Sequence, residues 1–588
     1  MASHKPSNLK AEAITDDRRQ RGFDIFCIFA LFGFGVYLSI LYFGHQPVPH
    51  FDFPCFEKVG HNILSFEMPY SFKRVPLVGV LQILLGKLTG AESPDFVGGW
   101  LLNSLLFSFV PVLFWLVGRR IIGKAALWLA VILALNPFMI QLLTEAIVEI
   151  TLLFCVLATF FLIFRRSRWS YVLASAATMV RYEAALLIFV AFVMDMIYDK
   201  NKKERIWSFF YSAIASVPLA LWMLGTVMSW RTEGYTHYLK EAGSAGAMSD
   251  VFFKYVQLLW QVGFFPFFMP TSEKFKILFV ISKIFALAGF VFGLVYGLYK
   301  RKWQILALVL FFVPYIFIHV IHSFVLHRFC VIVFWIPIII CFYGLWSFWK
   351  LIDAGHRVPR PVVIALQMAV LIISICWLAM IMPVTEKLIP VSKNSASVLY
   401  VAIGLICLIL LVRAVIYRSR HLWPDIVISV LMALIIASNQ VVLAQVVGNG
   451  ERDIEFKYLL DWYLANAKTG EKLACTAPVI LDIMAPKYED YFVHTRDIKG
   501  DNKNEFLQGC YEQNVTYIAW DSRIGRSVNS RYYKSWKVAN FAFLSKAQSI
   551  GPYEFICTLG TKYRFINVYR LHRISTQPKS KGRETIKK

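Results

Sequence analysis

The sequence predicts a polytopic α-helical membrane protein, with about 13 transmembrane helices followed by a small C-terminal extracytoplasmic α/β domain. Three observations predict it. The 588 residues are 58% hydrophobic and only 17% charged, and the mean hydropathy is +0.57. A soluble protein this apolar could not cover its surface with polar groups. Apolar windows of about 20 residues recur along the chain, each long enough to cross a hydrocarbon core of about 30 Å. From Glu451 the pattern changes to short strands, turns and helical periodicity.

The formal charge of +24 would point to nucleic acid in a soluble protein. Here the Lys and Arg cluster in short turns between apolar segments, as the positive-inside rule requires. No basic patch interleaved with aromatics is visible, so nucleic acid is excluded and the lipid bilayer is the implied surroundings. The polar start, 1–22, carries Lys5, Lys10, Arg18, Arg19 and Arg21. The apolar stretch after it is too long for a signal-peptide core, so it is read as an uncleaved first span with a cytoplasmic N-terminus.

The transmembrane module is read as 23–447. Span 1 covers 23–43 and is followed by a polar loop, 44–76. The apolar stretch 76–89 is too short to cross and predicts an interfacial helix. Span 2 covers 96–117, span 3 runs from Ala125 to a break at Asn136-Pro137, and span 4 follows Thr144-Glu145. A short span 5, 171–180, meets Arg181-Tyr182-Glu183, and spans 6 and 7 reach Met228. A second long loop, 230–275, holds Arg231, His237 and Lys240 and an aromatic stretch, 252–268, read as another interfacial helix. Spans 8 to 13 complete the set, the last three at 362–382, 398–416 and 426–447. The basic clusters at Arg119, Arg165, Lys200, Lys300, Lys350 and Arg413 then share the cytoplasmic side. The loops at Asp52, Glu145, Arg181, Trp230, Arg328 and Lys387 share the other.

The segment 448–573 reads as a small α/β domain, with helices at 453–465 and 503–512 and strands at 472–475, 515–520 and 565–571. The tail, 574–588, is basic and reads as disordered. Ten Cys carry no C-x-x-C pair, so a thiolate metal site is not expected. Cys475, Cys510 and Cys557 lie in the extracytoplasmic part, where one pair could be bridged. No P-loop or dinucleotide fingerprint appears.

The first outer loop, 50–76, places Asp52, Glu57, His61, Glu67, Lys73 and Arg74 between two apolar segments. Ionisable groups at the membrane are costly and tend to be functional. With Glu145, Arg181, Glu183, His327 and Arg328 they form a set of outer-side acids and cations. Such a set suits one chemistry: a carboxylate takes a proton from an attacking hydroxyl, and Arg or Lys stabilises a leaving phosphate. Each residue also has a structural reading. Asp52 before Phe53-Pro54 can cap a helix. Glu57 and His61, four apart, share a helix face. Arg181 and Glu183 can form a local ion pair, and Arg328 can snorkel.

This layout resembles the C-type (GT-C) glycosyltransferases, in particular the bacterial branch related to protein O-mannosyltransferases and aminoarabinose transferases. Asp52 early in the first outer loop, the Arg74-Val75-Pro76-Leu77 element, Thr144-Glu145 opening a span, Arg181-Tyr182-Glu183 after a short span, and Arg328-Phe329 leading to Pro337 carry the resemblance. A soluble domain after the last span fits it too. The resemblance implies a sugar donor linked to polyprenyl phosphate and a hydroxyl acceptor on a lipid, glycan or protein. It implies Asp52 as general base, Glu145 assisting it, and Arg74 with Arg328 or Arg181 holding the lipid phosphate. Glu57, His61, Glu183 and His327 are supporting candidates. Many relatives carry adjacent acids where this chain has Asp52-Phe53, and no metal or other cofactor is expected. The implied setting is the bacterial inner membrane. Two other classes compete: a transporter or flippase for a lipid-linked sugar, which would show matching broken spans in two halves, and a scaffold whose outer acids are dispensable.

Overall fold

The computed structural model describes residues 7–199, 201–233, 248–264, 276–320, 326–355, 452–526 and 531–572, with isolated positions between 401 and 450. The chain divides into two compact units. The first is Met1–His45 with Cys55–Gly90 and Pro94–Gly450, and the second is Gln46–Pro54 with Ala91–Ser93 and Glu451–Lys588.

The first unit is helical. Among the described residues, four helical stretches are long and apolar enough to cross a membrane: Arg21–Leu41, Pro94–Ile122, Lys202–Met228 and Trp303–Val320. A fifth candidate is a bent pair, Ala126–Ala134 and Pro137–Thr144, which meet at 51°. The bend has a local cause. Pro137 lacks the N–H that would continue the helix, and the Asn136 side chain caps the new start by accepting from the Phe138 and Met139 N–H groups. Asn136 also donates to the Val262 carbonyl at 2.6 Å, which fixes the break from outside.

The remaining apolar helices fall outside that set. The segments expected as spans 4, 5 and 6 are the helices Val148–Phe164, Trp169–Thr178 and Ala185–Tyr198, none of them among those candidates. Trp169–Thr178, of 10 residues, is indeed short. Spans 8 and 10 appear as Lys276–Tyr299 and Trp335–Gly355, and the readings of spans 11 to 13 fall outside the described residues. The 76–89 stretch forms the helix Leu77–Gly86. In the second long loop, Met248–Leu259 is helical and Trp260–Phe264 continues as a π-turn, while 234–247 and 265–275 lie outside the described residues.

Small residues let the helices of this unit touch through backbone. Gly293 and Gly344 approach so closely that a Cβ on either would strike the other helix's main chain, and a Cβ on Gly289, one turn before Gly293, would meet the Cys341 and Leu345 side chains. This is the small-xxx-small packing of membrane helices. Gly60 and Gly79 bring the helices Phe53–Leu64 and Leu77–Gly86 together in the same way.

The second unit is an α/β domain built on one five-stranded sheet of order β2-β1-β3-β5-β4. The strands are β1 (Lys472–Cys475), β2 (Phe492–His494), β3 (Val515–Asp521), β4 (Tyr553–Gly560) and β5 (Phe565–Leu571). β1, β2 and β3 run parallel, and β5 and β4 run antiparallel. Helices Ile454–Asn466 and Lys503–Glu512 accompany the sheet, and apolar clusters fill both of its faces. Cys475, Cys510 and Cys557 are all free thiols.

Candidate active site

In the helical unit, buried charges from four separate chain segments meet. Glu149 stands in the first turn of Val148–Phe164. Arg181 lies in the extended break after Trp169–Thr178, and Glu183 in the short 3-10 turn Tyr182–Ala184. His319 ends Trp303–Val320, and Arg328 with Phe329 sits in the short helix His327–Val331.

Arg181 is the hub. Its Nη2 and Nε donate to the two carboxylate oxygens of Glu183 at 3.0 and 3.3 Å, and its Nη1 donates to Glu149 Oε1 at 3.1 Å. The same Glu149 oxygen lies 3.5 Å from Arg328 Nε. His319 Nε2 lies 3.7 Å from Glu183. The Phe329 ring is common ground for three of these groups. Arg181 lies 4.6 Å and Arg328 5.3 Å from its centroid, and His319 stacks on it at 4.5 Å. Two acids against two guanidiniums make the cluster neutral when His319 is neutral, which lets it stay out of water. Burial pushes Glu183 up, but the Arg181 guanidinium, followed by His319, outweighs it and holds the carboxyl at about 2.

Arg74 is carried to the same turn by its flanks. The Tyr182 hydroxyl donates to the Phe72 carbonyl, which also accepts from Trp222 Nε1 at 3.0 Å. On the other side of Arg74, the Leu77 N–H donates to the Met179 carbonyl at 3.1 Å. Arg74 itself lies over the Phe56 ring at 5.1 Å.

Glu145 is buried at the hinge between Pro137–Thr144 and Val148–Phe164. It accepts from Gln141 Nε2 at 2.9 Å. The next residue, Ala146, has φ +50°, a conformation an L-alanine adopts at a cost. Its carbonyl accepts from Gln82 Nε2 at 3.1 Å, which pins the hinge. His327 meets the Phe138 ring edge-on at 5.8 Å. The sequence reading took Glu145 as the acid of this segment. Glu149, one turn later and outside that reading, meets Arg181 and Arg328. An acid in the first turn of an apolar helix, and a His in the last turn of another, are the signals available for Glu149 and His319.

Glu57, His61 and Asp95 form a separate group whose ligand atoms lie within 4.8 Å of one another. The i, i+4 spacing of Glu57 and His61 is that of helical metal ligands. The 2.6 Å hydrogen bond between His61 Nε2 and Asp95 accounts for the approach of those two, and that bond also raises the His61 pKa.

Asp52 belongs to the second unit, whereas Arg74, Glu145, Arg181 and Arg328 belong to the first. Asp52 immediately precedes the helix Phe53–Leu64. Its N–H donates to His50 Nδ1 at 3.1 Å, and its carboxylate lies 3.9 Å from the same nitrogen.

No family model and no curated protein sequence matches the chain. Solved structures do. ArnT from Cupriavidus metallidurans bound to undecaprenyl phosphate aligns with a TM-score of 0.50 at 14% identity, over 92% of this chain and 98% of ArnT. The oligosaccharyltransferase AglB from Archaeoglobus fulgidus, in complex with an inhibitory peptide and a dolichol-phosphate, aligns at 11% identity and a TM-score of 0.46. That alignment covers 92% of this chain and 74% of AglB. ArnT is an aminoarabinose transferase, and both proteins are GT-C glycosyltransferases. The chain shares the fold of ArnT over 92% of its length.

Proposed function

We propose that this protein is a membrane glycosyltransferase that moves a sugar from a polyprenyl-phosphate carrier to a hydroxyl of a lipid, glycan or protein. One observation carries the reading. Arg74 and Arg328 are both tied to the buried turn that bears Arg181 and Glu183, on a fold shared with a protein solved with undecaprenyl phosphate. Guanidiniums set at a bilayer rim suit a lipid phosphate, with planar donors for its oxygens.

In this reading Arg74 and Arg328 hold the phosphate. Arg181, clasped by Glu149 and Glu183, keeps Arg328 in place through their shared Glu149 oxygen. Asp52 takes the acceptor proton. The acceptor oxygen attacks the anomeric carbon in line, the bond from that carbon to the phosphate oxygen breaks, and polyprenyl phosphate departs with the electron pair. The configuration inverts. Glu145 assists from its hinge. The topology is the 13-span one, with a cytoplasmic N-terminus and the C-terminal domain outside the bacterial inner membrane. Asp52 stands without an adjacent acid, so the reaction proceeds without a divalent ion.

Native mass spectrometry of the purified protein with undecaprenyl phosphate tests the lipid site. Arg74→Ala and Arg328→Ala should each weaken binding about 10-fold or more, a loss of about 1.4 kcal/mol. Wild-type binding in both would remove the phosphate assignment. EDTA should leave transfer unchanged. A flippase is the second reading, favoured by the 51° break in Ala126–Thr144. It predicts translocation of a labelled lipid-linked sugar with no bond broken.

A further inference from the structure

The segment that carries Asp52 is folded by the C-terminal domain. Gln46–Pro54 belongs to that unit, although about 400 residues of chain separate the two in sequence. The Gln46 side chain donates to the Arg452 carbonyl. Val48 is buried in the apolar cluster of Phe456, Leu459 and Leu460. Phe51 meets the Phe456 ring edge-on at 5.9 Å, and the Arg523 guanidinium lies 3.8 Å from the Phe51 centroid.

Arg523 is itself rigidly held. It follows β3, the middle strand of the sheet. Its N–H donates to Asp521 Oδ1 at 2.8 Å, and its Nη2 lies 3.8 Å from Asp521 Oδ2. Asp521 in turn accepts from Thr476 Oγ1 at 3.3 Å. Arg523 Nη1 donates to Asp453 Oδ1 at 3.3 Å, an oxygen that also takes Arg564 Nη1 at 2.9 Å. Contacts therefore run without a gap from the centre of the sheet, through Arg523, to Phe51, the residue before Asp52. Beyond Phe51, His50 closes a tight turn: its carbonyl accepts the Phe53 N–H at 2.8 Å and its ring accepts the Asp52 N–H at 3.1 Å.

We propose that Phe51 and Arg523 are positioning residues for Asp52, and that the C-terminal domain's function is to set the direction of that carboxylate. The proposal rests on Asp52 being the general base. A guanidinium stacked on an aromatic face and fixed by two carboxylates is a stiff support, whereas apolar packing alone would leave the loop free to slide. A base displaced by about 1 Å loses about 100-fold in rate.

The test uses the full-length protein in lipid nanodiscs. Hydrogen exchange is followed at the Asp52 and Phe53 amides. Turnover is read as free undecaprenyl phosphate released from a panel of synthetic undecaprenyl-phosphate-linked sugars. Arg523→Gln and Phe51→Leu should raise exchange at these amides at least about 10-fold while β1 and β3 amides stay at wild-type rates. They should lower kcat about 10- to 100-fold with donor KM within about 2-fold. Phe51→Tyr, which keeps the ring, should stay within about 3-fold of wild type in both readouts. If Arg523→Gln also exposes β3, Phe51→Leu, which touches neither Asp453 nor Asp521, decides by the same measurements. Wild-type exchange at Asp52 and Phe53 in Phe51→Leu overturns the proposal. So does wild-type turnover in that variant where Asp52→Asn is inactive. Full turnover by Asp52→Asn would instead remove the base assignment and leave the exchange result standing.

Discussion

Both units set carboxylates beside guanidiniums, Glu149 and Glu183 in one, Asp453 and Asp521 in the other, but the C-terminal unit also holds acids whose protonated form burial favours. In the helical unit, Glu149 and Glu183 face guanidiniums, and the Arg181 guanidinium holds Glu183 below the usual carboxylate range. In the C-terminal unit, burial lifts the Asp482 carboxyl to about 8, and the nearby Glu489 charge adds to the lift. Glu455, fully buried, is also pushed up by desolvation. The first arrangement ties acids from two chain segments to one guanidinium. Asp482, at about 8, is held protonated at neutral pH by its burial. Burial of an acid is therefore no mark of a site by itself, and neither is a shared arginine, since Asp453 takes both Arg523 and Arg564 inside the sheet domain.

The largest expected effect breaks the paired arrangement. Arg181→Ala leaves Glu149 and Glu183 without their shared partner, a loss of about 3–5 kcal/mol for a broken buried pair. Thermal unfolding of the purified protein should drop sharply, and an unchanged melt would contradict the network.

A smaller effect of opposite sign is expected from Asp482→Asn. The folded pKa of Asp482 is raised, so its contribution is intact below the unfolded value near 3.8 and is lost as pH rises toward about 8. The substitution should raise the melting temperature of the C-terminal unit at pH 8 by a few degrees, about 2–4 °C. The gap should close near pH 4. Equal melts at pH 8 would mean that Asp482 is ionised without cost.

His494 should give the smallest effect. Burial, then the Arg496 cation, lowers its pKa to about 4. Its stabilising contribution is present above about 6.5 and is lost as pH falls through 4. His494→Asn, which can still accept the Arg496 N–H as His494 does, should flatten the acid limb of the stability curve. An unaltered acid limb would show that another group controls it.

Much of the fold was legible because its signals are local. Apolar runs mark helices, and Pro137 after Asn136 marks a break. The periodicity of Lys503–Glu512 and the β-branched run Phe565–Leu571 matched their elements. β2, of 3 residues, is too short to show a pattern. β4 alternates exposed and half-buried positions but mixes Glu, Thr and Gly into its run, so it was missed. The site was half legible. Arg181, Glu183 and Arg328 stood out as charges beside apolar spans. Glu149 and His319 did not, because what joins them to Arg181 is a meeting of distant segments that no local pattern encodes. The tie between Phe51 and Arg523 spans nearly the whole chain and was invisible for the same reason.

The most direct measurement is transfer by wild type and Asp52→Asn at equal expression and equal melting temperature. Each is given undecaprenyl-phosphate-linked sugars with a membrane lipid extract as acceptor. Wild type should release undecaprenyl phosphate and form a glycosylated product, and Asp52→Asn should lose about 100-fold or more of that rate. Undiminished transfer by Asp52→Asn, or no transfer by wild type from any polyprenyl-phosphate sugar, would contradict the account.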